Sequence, residues 1–324
     1  MNAIPAMDQS SVDAGIPWHY GDPFAEQRLL VAGQGRVELS NREIVRLSGS
    51  DRLSWLHSLT TQDFTLPVTS TQALILSPQG HIEHDLHVHD DGEQTWLIVD
   101  VDCADALVTY LRRMKFMLDV IVEDVSDEYA VVGAPEWVTD GVASWHSSVS
   151  FAMTDTDDKY VPHRPAKWQV SEVIMPRNQL SDYLAKYPLV GSWAWEAHRI
   201  RAGVPRLRFE VDSRSIPHEL GLMASAVSMT KGCYRGQETV SKVFYLGNPP
   251  RRLVQLSLDG SPNVLPKPGT PVFQEHTQVG IVTSSVQDYE EGPIALAVIK
   301  RNVPTDVALL VDGVAAAQTV IVVP

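Results

Sequence analysis

Between His81 and His89 the chain alternates with a period of two after an apolar run and a tight turn, and few architectures accommodate that pattern. Gln72-Ala73-Leu74-Ile75-Leu76-Ser77 is an apolar run and Pro78-Gln79-Gly80 is a turn. The stretch from His81 to His89 then sets Ile82, Leu86 and Val88 on one face and His81, Glu83, Asp85, His87 and His89 on the other. Successive strand side chains point to opposite faces, so the stretch reads as an antiparallel hairpin packed on one side. The titratable face invites a metal ion. Same-face neighbours lie ~7 Å apart along a strand, too wide for several to reach one ion. The face therefore reads as the wet side of an edge strand, and no metal ligand is assigned.

Other strands bracket the hairpin. Val37 to Ser40, Ile44 to Leu47, Trp96 to Val101, Tyr129 to Gly133 and Val170 to Met175 carry strand composition. Ser50-Asp51 is placed to cap a helix over Arg52 to Leu59, a side-chain oxygen accepting free amide hydrogens. Helical spacing recurs over Asp102 to Met117 and over Gly191 to Ala202, the latter stopped by Gly203 and Pro205. Cys103 sits at the start of the first of these, among acidic neighbours, and reads as structural. After Gly247-Asn248-Pro249-Pro250 come short strands with turns at Asp259-Gly260 and Pro268-Gly269, the pattern of a small closed β domain. The expected division is a loosely ordered tail over 1–30, an α+β region over 31–248 and a C-terminal β-barrel over 249–324. Thr154 to Asp158 reads as a polar stretch of low order.

With 324 residues, 44% of them hydrophobic and 20% charged, the chain has enough material for two or three globular domains. Two cysteines make no disulfide framework, the first residues lack the basic start and apolar run of a signal peptide, and no apolar run is long enough to span a bilayer. A cytoplasmic location follows as the expectation, with no membrane partner. A net charge of −14 argues against direct nucleic-acid binding, which depends on clustered cations. From Arg199 to Arg252, however, ten cations face four anions, which suggests a docking site for a small anion. Arg199, Arg251 and Arg252 are the arginines whose forks could take carboxylates.

The second constraint is Lys231-Gly232-Cys233-Tyr234-Arg235-Gly236-Gln237-Glu238. A thiol between two cations is a setting in which the thiolate is populated, and two glycines in eight residues suit a loop that a ligand approaches. The octet resembles the Lys-Gly-Cys-Tyr-x-Gly-Gln-Glu signature of the YgfZ family of folate-binding proteins, relatives of the glycine cleavage T protein, an aminomethyltransferase. Leu59-Thr60-Thr61-Gln62-Asp63 is similar to the family's Leu-Thr-x-(Asn/Gln)-Asp. Arg199-Ile200-Arg201-Ala202-Gly203-Val204-Pro205 is similar to its Arg-Ile-x-x-Gly-(Ile/Val)-Pro, and Gly280 to Ser284 resembles the T protein's Gly-x-(Ile/Val)-Thr-Ser. The likeness runs from near Val37 to the C-terminus and is weak only in the tail and over Val138 to Lys159.

The resemblance implies a three-domain α+β ring with a C-terminal β-barrel, and tetrahydrofolate as the cofactor. Gly80-His81-Ile82-Glu83-His84-Asp85-Leu86 aligns with the T protein's Gly-Gly-(Ile/Val)-x-Asp-Asp-Leu. Asp85 thus stands for the carboxylate at the reactive end of folate, and His84 replaces the other Asp. Trp195 matches a tryptophan associated with folate binding, and an indole can stack on such rings. Cys233, Lys231 and Asp85 are therefore the candidate catalytic residues. Trp195, Asp85, Lys231, Tyr234, Gln237, Glu238 and Arg199 are the candidate folate contacts. Trp168 to Val173 lacks the T protein's Gly-Glu-x-Gly turn, which argues against full aminomethyl transfer. The resemblance thus implies an accessory protein that binds folate and supports iron–sulfur cluster assembly or repair, and through it enzymes such as those modifying tRNA. Iron–sulfur proteins or assembly factors are the implied partners. The alternative is a folate-dependent aminomethyltransferase or one-carbon transferase, and the sequence leaves open whether the chain is an enzyme at all.

Overall fold

The computed structural model describes residues 3–4, 12–65, 69–147, 160–261 and 264–324. The polar stretch Thr154 to Asp158 lies outside the described residues. Two compact units are present, one built from 1–149, 169–195 and 225–237, the other from 150–168, 196–224 and 238–324.

The first unit begins with α1 (Pro23–Val31), β1 (Arg36–Glu38), β2 (Glu43–Ser48) and α2 (Arg52–Leu59). The hairpin strands β3 (Ser70–Leu76) and β4 (Ile82–Asp90) follow, then β5 (Gln94–Val99), α3 (Ala104–Met114) and β6 (Ile121–Asp124). It continues with β7 (Tyr129–Ala134), β8 (Ala143–His146), β9 (Ser171–Pro176), α4 (Arg177–Leu184) and β10 (Leu189–Val190). Two five-stranded sheets result, ordered β3-β4-β5-β2-β6 and β10-β1-β7-β9-β8. The alternation in β4 is realised as read: Ile82, Leu86 and Val88 are buried and Glu83, Asp85, His87 and His89 face the other way. One correction concerns its place. β4 pairs with β3 on one side and β5 on the other, so it is an interior strand rather than an edge. Its polar face is wet only where the second sheet leaves it open.

Two further readings change. Residues 12–30 are organised rather than loosely held. Asp22 caps α1 by accepting from the amides of Phe24 and Ala25, Ile16 and Leu30 are buried, and Trp18 stacks on Trp193 with ring centroids 4.7 Å apart. At α2 neither Ser50 nor Asp51 makes a side-chain cap. Asp51 instead accepts from the Asp119 amide, and Asp119 accepts from the Ser50 amide and hydroxyl, so the carboxylates join two loops. The N-terminus of α3 is capped by Glu43 of β2, which accepts from the amides of Cys103 and Ala104 at 2.7 and 2.6 Å. Cys103 is buried there, as expected of a structural cysteine.

The division falls within α5 (Ser192–Arg201), after Trp195, and within α7 (Met223–Ala226), after Ala224; between them the second unit holds α6 (Leu207–Glu210) and a short 3-10 helix over Pro217–Leu220. Then come α8 (Gln237–Leu246) and the strands β11 (Arg251–Leu258), β12 (Pro271–Gln274), β13 (Thr277–Asp288), β14 (Gly292–Lys300), β15 (Leu309–Val311) and β16 (Val314–Val320). Those six strands close into a barrel ordered β11-β14-β13-β12-β15-β16, as the regular turns predicted. Closure leaves no sheet edge unpaired. Val254, Leu256, Val282, Ala295, Ala297, Ile299 and Leu309 fill its interior.

Candidate functional site

The segment over 225–237 runs alongside the β3–β4 hairpin and is fixed to it at several points. Ser225 Oγ donates to Gln72 Oε1 at 2.8 Å, and Thr61 Oγ1 donates to the Ala226 carbonyl at 2.6 Å. Further on, Arg235 forms a two-pronged ion pair with Glu83 at 2.8 and 3.2 Å. The ladder between β3 and β4 slips by one residue here, leaving Glu83 unopposed and free to meet the arginine. Gly236 has a positive φ of 83°, and a Cβ placed on it would sit 2.6 Å from the Ser77 carbonyl and 2.9 Å from Gly80 Cα. Only glycine allows both the left-handed backbone and this approach to the hairpin turn.

Lys231 turns inward. Its ammonium is 7% exposed as a residue and donates to the carbonyls of His57, Thr60 (2.6 Å) and Gln62 (3.1 Å). These carbonyls belong to the C-terminal end of α2 and the bend after it, where the helix lacks intrahelical donors and its dipole favours a cation. Burial pulls the lysine pKa down to about 8, with Asp63 opposing. The reading of Lys231 and Arg235 as cations available to the thiol is thereby corrected: one is bound to backbone carbonyls, the other to Glu83. Tyr234 packs its ring inward and is also buried. Cys233 is exposed. Gln237 and Glu238 form the first turn of α8.

Asp85 lies on the polar face of the same hairpin, half-buried. Gln72 Nε2 donates to its Oδ1 at 2.8 Å, and Gln72 is itself held by Ser225. Among the described residues Asp85 Oδ2 accepts no hydrogen bond. Burial raises the pKa of this carboxyl, opposed by His87 and by the Gln72 hydrogen bond. The arrangement is an oriented carboxylate with one oxygen held and the other available to a donor.

Next to it is a feature that the sequence reading passed over. His87 Nδ1 meets Glu172 Oε2 of β9 at 2.7 Å, and the imidazole stacks on Trp145 of β8 with centroids 3.7 Å apart and planes 7° from parallel. Trp145 is fixed by its indole N–H to the Thr71 carbonyl at 2.7 Å. Burial acts to lower the His87 pKa, but the Glu172 carboxylate outweighs it and the pKa is raised. Glu172 is lowered for the reciprocal reason, His87 and Arg42 overcoming its burial. The alternation placed His87 on the face of Asp85; its partner on β9, 85 residues away, had no local signal.

Four candidates move out of the site. Trp195 is 2% exposed, and its ring lies against Gly133, where an added Cβ would come within 2.9 Å of it. It is a core residue with no face free for a folate ring. Arg199 is buried and paired with Glu196 at 2.8 Å and Glu210 at 3.0 Å. Arg251 is bound by Asp212 and Glu219, and Arg252 is fully buried in the barrel, donating to the Val303 carbonyl and Gln318. Arg201 meets Asp288, Glu290 and Glu291, and Arg206 meets Glu196. Much of the excess positive charge between Arg199 and Arg252 is thus matched by acids of the chain itself, many of them outside that segment.

No family model matches the chain. It is 27% identical over 245 residues to the "Iron-sulfur cluster assembly factor IBA57 homolog, mitochondrial" of Mycosarcoma maydis, an alignment covering 70% of this chain and 58% of that protein, so less than two thirds of the relative's length is spanned. It is 24% identical over 288 residues to the "tRNA-modifying protein YgfZ" of Aliivibrio fischeri, covering 83% and 86% of the two chains. Among solved structures, the glycine cleavage system aminomethyltransferase T of Bartonella henselae superposes with a TM-score of 0.73 at 17% identity, over 94% of this chain and 90% of that one, a likeness of fold. With the octet and the hairpin carboxylate in place on this fold, the chain is similar to the proteins named YgfZ and IBA57 over most of its length.

Proposed function

We propose that this chain binds a reduced folate at the Asp85 face and supports iron–sulfur cluster assembly or repair, and through it iron–sulfur enzymes such as those that modify tRNA. The observation that carries the folate half is the Asp85 carboxylate, oriented by Gln72 and Ser225 with one oxygen available. Such a group suits a ligand edge bearing N–H donors, and an ionised acceptor in a partly buried site binds them more strongly than a neutral one. The fit is partial: Asp85 and Gln72 suit the pterin end, whereas Trp195, Arg199, Arg251 and Arg252 are committed elsewhere. A bound reduced folate would supply a nitrogen-linked one-carbon carrier. The chain's own part is to orient it and to set the charge around it.

The iron–sulfur half is supported by the similarity to an iron–sulfur cluster assembly factor and to a tRNA-modifying protein. Cys233, the exposed side chain of a loop pinned on either side, is placed to meet a macromolecule or a cluster. The one-carbon transferase reading is supported by the fold alone.

The test is titration with tetrahydrofolate followed by tryptophan fluorescence or calorimetry. Saturable binding is expected, and Asp85→Asn should weaken it roughly ten- to a hundredfold, the loss of a charge-assisted hydrogen bond. No binding by the wild-type chain at millimolar tetrahydrofolate would sink the proposal. Equal affinity for Asp85→Asn would move the ligand to another face.

A further inference from the structure

We infer that His87 is a second polar contact of the Asp85 face: Glu172 and Trp145 hold it as a cation whose free Nε2–H donates to an oxygen or nitrogen acceptor on the ligand. The inference rests on the folate reading for the identity of that ligand. The geometry itself does not.

The imidazole has one nitrogen committed and one available. Nδ1 is bound to the Glu172 carboxylate, whose side chain is 4% exposed, while the His87 side chain keeps 24% of its surface. Among the described residues Nε2 has no hydrogen-bond partner. A neutral imidazole donating through Nδ1 would present Nε2 as an acceptor; a protonated one presents it as a donor. The charged groups around the ring decide between them. Asp85 on β4 and Glu172 on β9 favour the cation. Arg42 opposes it, and Arg42 is itself paired with Asp100 at 3.1 Å. The indole face of Trp145, parallel to the ring at 3.7 Å, favours a cation as well. The balance is toward imidazolium.

The consequence is a site with two polar contacts of opposite kind on one strand face. Asp85 accepts through Oδ2, and His87, two residues on, donates through Nε2. A ligand edge that carries both an N–H and an acceptor meets both. An edge with donors alone would meet Asp85 and face a positive charge at His87. His87 also favours the ionised form of Asp85 despite burial.

Two measurements test this. In chain labelled with 15N-histidine and free of ligand, the His87 midpoint should lie above the ordinary imidazole value of about 6.5, and Glu172→Gln should bring it down to that value or lower. A wild-type midpoint at or below the ordinary value overturns the inference. Tetrahydrofolate affinity is then compared at pH 6.5 and pH 9 for the wild type and for His87→Gln, which keeps a donor and loses the charge. The wild type should bind more weakly at pH 9. The variant should bind roughly tenfold more weakly than the wild type at pH 6.5 and show a smaller pH dependence. Identical profiles for variant and wild type overturn the contact while leaving folate binding intact. Absence of binding by the wild type overturns the folate reading instead, and the ligand-free spectra still decide whether the charged dyad exists. Thermal melts of His87→Gln establish that the variant is folded.

Discussion

Within the octet Lys231 to Glu238 the side chains divide by direction. Lys231 reaches three carbonyls, Tyr234 is buried, Arg235 meets Glu83 and Gly236 abuts the hairpin turn, while Cys233 is exposed. The expected effects divide in the same way. Cys233→Ser should change stability by no more than about 0.5 kcal/mol, as surface substitutions generally do. It should nevertheless abolish complementation in a host deleted for its own relative of this chain. Lys231→Met should cost about 1.5–3 kcal/mol, since buried carbonyls lose a charged donor. Gly236→Ala should cost about 1–3 kcal/mol through strained backbone. Arg235→Ala, which breaks a half-exposed pair, should cost at most about 1 kcal/mol. Denaturant melts of the four proteins give the order directly. A Cys233→Ser protein that is stable and fully complementing would remove the thiol from the mechanism.

At the scale of elements, two buried polar hubs carry the architecture, one in each unit. The His87–Glu172 pair joins β4 to β9. With the His87 pKa raised, its contribution to stability is fully present below about pH 6.5 and is lost as pH rises through the folded value. With the Glu172 pKa lowered, its contribution is present above about pH 4.5 and is lost as pH falls through the folded value. The melting temperature should therefore hold between these limits and fall on either side, and Glu172→Gln should flatten the alkaline fall. An unchanged alkaline limb in that variant would mean the pair does not titrate with folding. In the second unit Glu210 of α6, its side chain fully buried, accepts from Arg199 Nη1 at 3.0 Å, the Arg206 amide at 2.8 Å, and the hydroxyls of Thr283 (2.8 Å) and Ser284 (2.6 Å) on β13. Glu210→Ala leaves the Arg199 charge buried with Glu196 as its remaining acid, so a loss of roughly 3–5 kcal/mol is expected in chemical denaturation. A loss below 1 kcal/mol would show that Glu196 suffices.

For the whole molecule the question is which chemistry the shared fold serves, because one fold hosts several activities. The aminomethyltransferase likeness covers nearly all of the chain, yet it is a likeness of backbone. Trp168 to Val173 lacks the expected glycine turn, and Glu172 of β9 is engaged by His87. In a host lacking its relative of this chain, several iron–sulfur enzymes should lose activity and recover with this chain, while glycine cleavage stays unchanged. Loss of glycine cleavage with intact iron–sulfur enzymes would favour the transferase reading.

Local chemistry determined much of this protein. The period-two alternation of β4, the turn at Pro78 to Gly80, the helical spacing of α3 and the short strands of the barrel are nearest-neighbour patterns, and each was legible because backbone geometry imposes it. So was the loop character of the octet, from its two glycines. What only the tertiary structure decided is the partner of each charge. Lys231 and Cys233 are two residues apart, yet the ammonium is held by carbonyls of α2 some 170 positions earlier. Trp195 of α5 is a residue type fit for stacking, but Gly133 on β7 gives its ring a place in the core. Arg199 to Arg252 is basic when summed along the chain and largely paired once folded. Periodicity is written within a few residues, whereas the pairing of a charge depends on which distant group the fold brings within about 3 Å, where its energy is decided.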